Sequence, residues 1–364
     1  TTLDAGNRDI NFTNLTSNTV YYYNVSVVDK VSLVNSTPTR NISLDSINPE
    51  TYGAEVNDSD RIVRKADSIR VNVTVNDTNI DTVNVSNASS VFMVRIGSTT
   101  EWGVNTTANV LGCVQNNSNC TLHFTAVDMA GNINDTLLFD ITIDDIFPII
   151  YELKSNDTDN ITSLSSLLNF TVYANDTNID TVTLWGTPMI QDNDIWFTLN
   201  TTADFNCITD GNCTLNATII DLAGNQNQTN YTLVIDSTAP SIISVSVNDS
   251  DLIIKKGDSI KINATISDSY ISAVNVSNVT SLPMVQINDT GLWELNTTAA
   301  SLGCDQNDSN CTLHFIAIDL ASNVNDTVSI DVVIDDIYPN IYDFISSDAD
   351  NITTSSTLLN FTVY

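Results

Sequence analysis

In the stretch Thr121–Val127, TLHFTAV, the apolar residues Leu122, Phe124 and Ala126 alternate with Thr121, His123 and Thr125. A period of two sets one apolar face against one polar face and predicts a half-buried strand. The same phase recurs in TLNATII from Thr214 and in TLHFIAI from Thr312. SIRVNVTV from Ser68, LLNFTVY from Leu167 and SIKINATI from Ser259 also read as strands, separated by clusters of Asn, Asp, Ser and Gly. No segment carries an extended helical period. The expected fold class is therefore all-β.

These strands belong to repeats. LGCVQNNSNCTLHFTAVDMAGN, starting at Leu111, returns as LGCDQNDSNCTLHFIAIDLASN at Leu302, 191 positions on, with a shorter version, FNCITDGNCTLNATIIDLAGN, at Phe205. Pro49, Pro148, Pro240 and Pro339 mark the units, with spacings of 99, 92 and 99. The expected domains are 48–146, 147–238 and 239–337, flanked by partial units at 1–47 (last strands) and 338–364 (first strands). Several short strands at regular turn spacing within about 95 residues read as a β-sandwich able to bury its own core. The partial ends imply a window on a longer protein, in which Thr1 is not the start of the gene product, or strands that complete a neighbouring copy head to tail.

Each whole unit closes with a strand, a D-x-A-G/S-N turn, a second strand, acidic residues and Pro: AVDMAGNINDTLLFDITIDDIFP, IIDLAGNQNQTNYTLVIDSTAP and AIDLASNVNDTVSIDVVIDDIYP. This pattern resembles the immunoglobulin-like repeats strung together in large bacterial and archaeal surface proteins. The resemblance covers residues 48–337 and implies tandem immunoglobulin-like β-sandwich domains in a linear rod. NLTSNTVYYYNVSVVD, with Leu15, Thr19 and Tyr21 at a corner, is similar to the later half of a fibronectin type III domain but lacks the turn and the cysteines. Gly and Asn in A-G-N tolerate positive φ, so the last two strands can reverse tightly.

Six cysteines form three local pairs, Cys113 with Cys120, Cys207 with Cys213 and Cys304 with Cys311. C-x5-C and C-x6-C without a second nearby pair make a poor zinc pattern, and free thiols fit an even count of one pair per unit less well than disulfides. Disulfides place the chain in an oxidising, extracellular setting.

Of 47 asparagines, 34 stand in N-x-S/T with x not Pro. Scattering the 82 Ser and Thr at random among the 364 positions predicts about 11. The excess marks a coat of N-glycans. Before Pro148 these are Asn11, Asn14, Asn24, Asn35, Asn41, Asn57, Asn72, Asn76, Asn84, Asn87, Asn105, Asn116, Asn119 and Asn134. The middle unit adds Asn156, Asn160, Asn169, Asn175, Asn200, Asn212, Asn216, Asn227 and Asn230. Asn248, Asn263, Asn275, Asn278, Asn288, Asn296, Asn307, Asn310, Asn325, Asn351 and Asn360 complete the set. In NVTV, NATI and NFTV the Asn and Thr two apart share the outward face of a strand, so a sugar there leaves the core alone.

With 12 Lys and Arg against 44 Asp and Glu, the net charge is −32, which repels nucleic acid and anionic membranes and favours cations as partners. An acidic D-x-D follows each of the four unit-marking prolines at the same distance: Asp58 and Asp60, Asp157 and Asp159, Asp249 and Asp251, Asp348 and Asp350. With the junction carboxylates Asp144, Asp145, Asp236, Asp335 and Asp336, these supply candidate oxygen ligands for Ca²⁺ at the domain joints. The competing role is that of turn residues making Asx hydrogen bonds.

Catalytic patterns are missing from the sequence: it has no G-x-S-x-G, H-E-x-x-H, P-loop or dinucleotide glycine motif, and its two histidines, His123 and His314, share one outward repeat position. The expectation is a protein that is no enzyme and has no cofactor beyond calcium. Trp102, Trp196 and Trp293 each precede N-T-T-A or a close variant and are expected to pack rather than to stack on sugars. No apolar run in these 364 residues is long enough to span a bilayer. The sequence reads as a structural subunit of an archaeal extracellular filament, stalk or surface layer that assembles with itself head to tail or laterally. The alternatives are a cell-surface adhesin and the spacer arm of a secreted enzyme.

Overall fold

The computed structural model describes residues 10–164, 166–288, 290–306, 308–349, 353–356 and 358–364, and its regular structure is strand apart from two 3₁₀ turns. Near the N-terminus, β1 (Thr19–Tyr23), β2 (Ser26–Val28), β3 (Val34–Ser36) and β4 (Arg40–Leu44) form two ribbons, β1 with β4 and β2 with β3. The hydroxyl of Tyr21 lies 2.6 Å from the N–H of Thr16, whose hydrogen it accepts, and 3.3 Å from the carbonyl of the same residue. That contact pins the corner noted in the sequence.

The first whole repeat runs β5 (Glu50–Val56), β6 (Ile62–Val63), β7 (Ser68–Asn76), β8 (Ile80–Ser86), β9 (Ser90–Phe92), β10 (Val94–Arg95), β11 (Glu101–Thr107), β12 (Ser118–Asp128) and β13 (Ile133–Ile143). A four-stranded sheet, β10-β11-β7-β5, faces a five-stranded one, β6-β13-β12-β8-β9. Pairing is antiparallel except where β6 runs parallel to the end of β13. Alternation explains the core. Ile69, Val71, Val73 and Val75 of β7 are buried, as are Leu122, Phe124 and Ala126 of β12, while Asn72, Thr74 and His123 turn outward. Side chains at alternate positions of a strand lie on opposite faces, and burying a large apolar one is worth about 1.5–3 kcal/mol.

The last whole repeat copies this plan, with Val285–Ile287, Leu292–Thr298, Ser259–Ser267 and Ser241–Val247 as one sheet and Ile253–Ile254, Val324–Ile334, Ser309–Asp319, Ile271–Ser277 and Ser281–Pro283 as the other. Its core is built around Ile262, Phe315 and Leu313. In the middle repeat Ile179–Leu184 pairs with Gly211–Asp221, and Ile161–Thr162 runs parallel to Gln226–Ile235.

Packing gathers the chain into two compact units. One holds the residues up to Leu153 with Val172–Phe197 and Asn216–Thr229, and the other holds Lys154–Thr171, Thr198–Leu215 and Asn230–Tyr364. The sequence segment 147–238 thus contributes to both.

Three disulfides close, Cys113–Cys120, Cys207–Cys213 and Cys304–Cys311, with Cα atoms 5.6, 5.8 and 5.6 Å apart. Each fastens the loop before the long strand that leads into the D-x-A-G/S-N turn. Leu111, Phe205 and Leu302, two residues before the first cysteine of each pair, are buried anchors of that loop.

Candidate functional site at the linker turns

Every whole repeat is entered through a five-residue linker, D-x-x-x-P: Asp45 to Pro49, Asp144 to Pro148 and Asp236 to Pro240. Its aspartate folds the linker back on itself by accepting the N–H two residues on, from Ile47 at 3.1 Å, Ile146 at 2.9 Å and Thr238 at 3.1 Å. The same Asx turn forms where the third and fourth strands of the repeat meet. Asp77, Asp176 and Asp268 accept from Asn79, Asn178 and Tyr270 at 2.7–2.9 Å.

The D-x-A-G/S-N turn completes the construction. Asp128, Asp221 and Asp319, all 2% exposed, take the N–H of the asparagine four residues on through Oδ1 and its side-chain amide through Oδ2. A backbone bond then ties this turn to its neighbour, from Met129 to Asn79, Leu222 to Asn178 and Leu320 to Tyr270, each at 2.8 Å. Three segments far apart in sequence therefore bring three carboxylates together: Asp45, Asp77 and Asp128; Asp144, Asp176 and Asp221; Asp236, Asp268 and Asp319. In each group one oxygen per residue lies within 4.8 Å of the others.

Like charges this close, partly out of water, work against one another's ionisation. Burial pushes the Asp221 carboxyl above its ordinary value despite the bonds from Asn225, and Asp144 and Asp176 push it further. Burial likewise raises Asp236, with Asp268 and Asp319 adding to it. In Asp128 burial also acts upward, but the side chain of Asn132 and the N–H groups of Asn132, Ala130 and Gly131 outweigh it and hold that carboxyl low. Arg64 reaches the second turn, with Nη1 3.5 Å from the carbonyl of Gly224. Oxygen donors alone suit a hard divalent cation such as Ca²⁺ rather than zinc. At the second joint the Oδ1 of Asn225, a residue 1% exposed, has no hydrogen-bond partner.

The ligand set expected from sequence is only partly assembled. Asp144 and Asp236 sit in these groups, but the D-x-D pairs do not join any such group among the described residues. Asp58 accepts from Asp60 N and Arg61 N, and Asp60 from Ile62 N; Asp157 with Asp159 and Asp249 with Asp251 repeat the turn. Their carboxylates serve the backbone of the chain reversal. Burial, then the partner aspartate, raises the first carboxyl of the Asp58 and Asp157 pairs, while in Asp249 the hydrogen bond that its protonated form donates to Asp251 leads. Asp145 instead meets Lys65 at 3.0 Å and Asp336 meets Lys256 at 3.5 Å, while Asp335 accepts from Ile337 N. Asp350 lies outside the described residues.

Sequence reasoning missed Asp45, Asp77, Asp128, Asp176, Asp221, Asp268 and Asp319. The aspartate that opens each D-x-A-G/S-N turn was visible three times, but as part of a hairpin.

Every described sequon asparagine is exposed or half-buried, and none is buried; Asn307 and Asn351 lie outside the described residues. Trp196 and Trp293 are 8% exposed and Trp102 packs against the first core, whereas the fourth tryptophan, Trp185, is 50% exposed on a tight turn. His123 and His314 face solvent.

No protein-family model matches the chain, and no curated protein matches it. Among solved structures it is similar to one from a 1.5-MDa bacterial ice-binding adhesin, at 17% identity over 80% of this chain and 99% of that one, with a TM-score of 0.36. It is also similar to a tetra-tandem repeat from the extending region of a large adhesion protein, at 16% identity over 88% and 82% of the two chains, TM-score 0.34. The Escherichia coli adhesin FdeC gives 11% identity over 79% and 96%, TM-score 0.33. Likenesses this remote leave function to the chain's own residues.

Proposed function

We propose that the chain is a load-bearing segment of an extracellular filament, stalk or surface layer, N-glycosylated along its outward strand faces, with repeats 48–146, 147–238 and 239–337 as its beads. The observation that carries this reading is the linker. Asn225 and Asn323, buried or half-buried in the D-x-A-G/S-N turn, donate their amides to the carbonyls of Asp144 at 3.0 Å and Asp236 at 2.8 Å, at the entrance of their own repeat. A linker held by buried polar bonds is a stiff joint, unlike the exposed and flexible connections that usually separate domains.

Calcium belongs to the same proposal, with its ligands moved to the three aspartate groups. A divalent ion there relieves carboxylate repulsion and ties linker to turn. Disulfides add local reinforcement suited to an oxidising exterior, and the fibronectin-like corner at Tyr21 fits a further module of another type.

Small-angle scattering of the full chain in calcium and then in chelator tests the reading. Maximum dimension and stiffness should fall on chelation; a flexible profile in both conditions rejects the rod, and an unchanged stiff profile in both rejects the calcium. Microscopy of cell-surface material with sugar density at Asn72 and Asn263 tests the coat. The exposed Trp185, held at φ 50°, favours a second reading, adhesion through the middle repeat, which loss of cell binding in Trp185→Ser would support.

A further inference from the structure

Three sequon asparagines are already committed inside the fold. Asn134, Asn227 and Asn325 stand two residues beyond the asparagine of each D-x-A-G/S-N turn. Each donates its side-chain Nδ2 to the carbonyl of the proline that opens its own repeat: Asn134 to Pro49 at 2.8 Å, Asn227 to Pro148 at 2.9 Å and Asn325 to Pro240 at 2.8 Å. The three prolines are buried and the three asparagines half-buried. A buried carbonyl needs a donor, and here the donor is the sequon amide.

The other half of the sequon is engaged as well. Asn134 Oδ1 accepts the N–H and the hydroxyl of Thr136 at 3.1 and 2.8 Å, and Asn325 Oδ1 takes the same pair from Thr327 at the same distances. Asn227 Oδ1 takes the N–H of Gln228 at 2.8 Å. Linking a sugar to Nδ2 replaces one of its two hydrogens and puts a ring on a nitrogen held 2.8–2.9 Å from the carbonyl of a buried proline. By contrast the amide of Asn72 meets the carboxylate of the exposed Glu55, and that of Asn296 meets the side chain of Glu294, so neither is committed to a backbone carbonyl. Asn87 reaches a backbone carbonyl, that of Thr121, but its repeat counterpart Asn278 turns to the disulfide sulfurs, so that contact is not a repeated element.

We propose that Asn134, Asn227 and Asn325 are latches that seat the start of each repeat, and that they are therefore sequons left bare within the glycan coat. The second half of this statement rests on the glycan reading above; the first does not. With its neighbour two residues earlier, each latch at the second and third joints grips the entering chain at both ends of D-x-x-x-P, carbonyl of Asp and carbonyl of Pro.

The experiment has two readouts on the full chain. Site-resolved mass spectrometry of protein from a glycosylating host should find sugar on Asn72 and Asn263 and none on the three latches; sugar on any latch of the folded chain overturns the proposal. In parallel, Asn325→Asp keeps the shape but sets a carboxylate against the Pro240 carbonyl, and should lower the melting temperature of its repeat by about 5 °C or more, while Asn263→Asp on the outward strand face leaves it within about 2 °C. Asn325→Ala, which removes the donor without adding charge, serves if the aspartate variant does not fold, and should give a smaller drop. If no sequon anywhere carries sugar, the coat is wrong and the melts alone decide the latch; an unchanged melt overturns it.

Discussion

Asn225 gives its side-chain amide to the carbonyl oxygen of Asp144, 81 residues earlier, across 3.0 Å. The same nitrogen serves Asp221 Oδ2 at 2.8 Å, so one buried side chain joins linker to turn. Asn225→Ala leaves a buried carbonyl and a buried carboxylate oxygen short of a donor, at a cost of about 2–3 kcal/mol. Denaturant unfolding should show that loss for Asn225→Ala and for Asn323→Ala. Asn132→Ala, whose amide bond is to Asp128 at 2.8 Å, should lose less.

The aspartate groups make a prediction of opposite sign in two buffers. Asp176→Asn removes one of three clustered carboxylate charges near Asp144 and Asp221 while leaving a side-chain oxygen to accept the N–H of Asn178. In chelator the variant should melt no lower than the parent, because repulsion is relieved. In calcium the parent should gain stability by mass action and the variant should gain much less. Thermal melts of both proteins in both buffers check it, and a parent that ignores calcium removes the cation from the account.

Gly303 adopts φ 85°, and a Cβ placed on it would lie 2.5 Å from Cβ of Val279; Gly112, at φ 91°, would meet Ala88 at 2.6 Å. Backbone conformation and space both require glycine between the buried Leu302 and Cys304. Gly303→Ala should cost about 2–4 kcal/mol through strain plus overpacking, read as a lower unfolding midpoint with the disulfide intact. The middle repeat fills this position with Asn206 at φ 62°, a residue type that also tolerates the left-handed region.

Asp204 sets a pH dependence. Hydrogen bonds from the Thr201 side chain at 2.7 Å and backbone at 2.9 Å hold its carboxyl below the ordinary value. A depressed folded pKa contributes stability above the unfolded value, near 3.9, and that contribution disappears as pH falls through the folded value. The stability difference between parent and Asp204→Asn should therefore be constant above about pH 5 and shrink as pH falls through the depressed folded value of Asp204. Melting curves across that range give the comparison directly.

Strand positions were legible because period two survives in nearly every buried strand: Val71, Val73 and Val75 announce a core face from sequence alone. The linker site was not. Asp144 looked like a junction ligand, but its companions Asp176 and Asp221 come from turns 32 and 77 residues away, and only pairing of the long strands brings those turns beside the linker. D-x-D misled for the converse reason. Aspartates two apart are near in sequence whatever they do, and here Asp58 and Asp60 fold their own chain. The amide roles of Asn225 and Asn227 were hidden too, since N-x-N-x-T spells a sequon whether or not its nitrogen is free.

The third copy of the turn replaces glycine by serine, and Ser322 is held at φ 67° where Gly131 and Gly224 take 89° and 82°. The local hydrogen bond is unchanged in kind: Ser322 N reaches Asp319 O at 3.2 Å, against 3.1 and 3.0 Å in the other two copies. An L-residue in the left-handed region costs about 1–2 kcal/mol, while glycine costs about 0.5–1 kcal/mol in extra chain entropy on folding. The first effect wins by a small margin. Ser322→Gly should therefore stabilise the third repeat by about 0.5–1 kcal/mol, raising its melting temperature by about 2–5 °C. The reverse change, Gly224→Ser, should destabilise the second repeat by a similar amount. Calorimetry of both variants tests the pair, and a drop for Ser322→Gly would mean that the serine hydroxyl holds the turn in a way its backbone does not reveal.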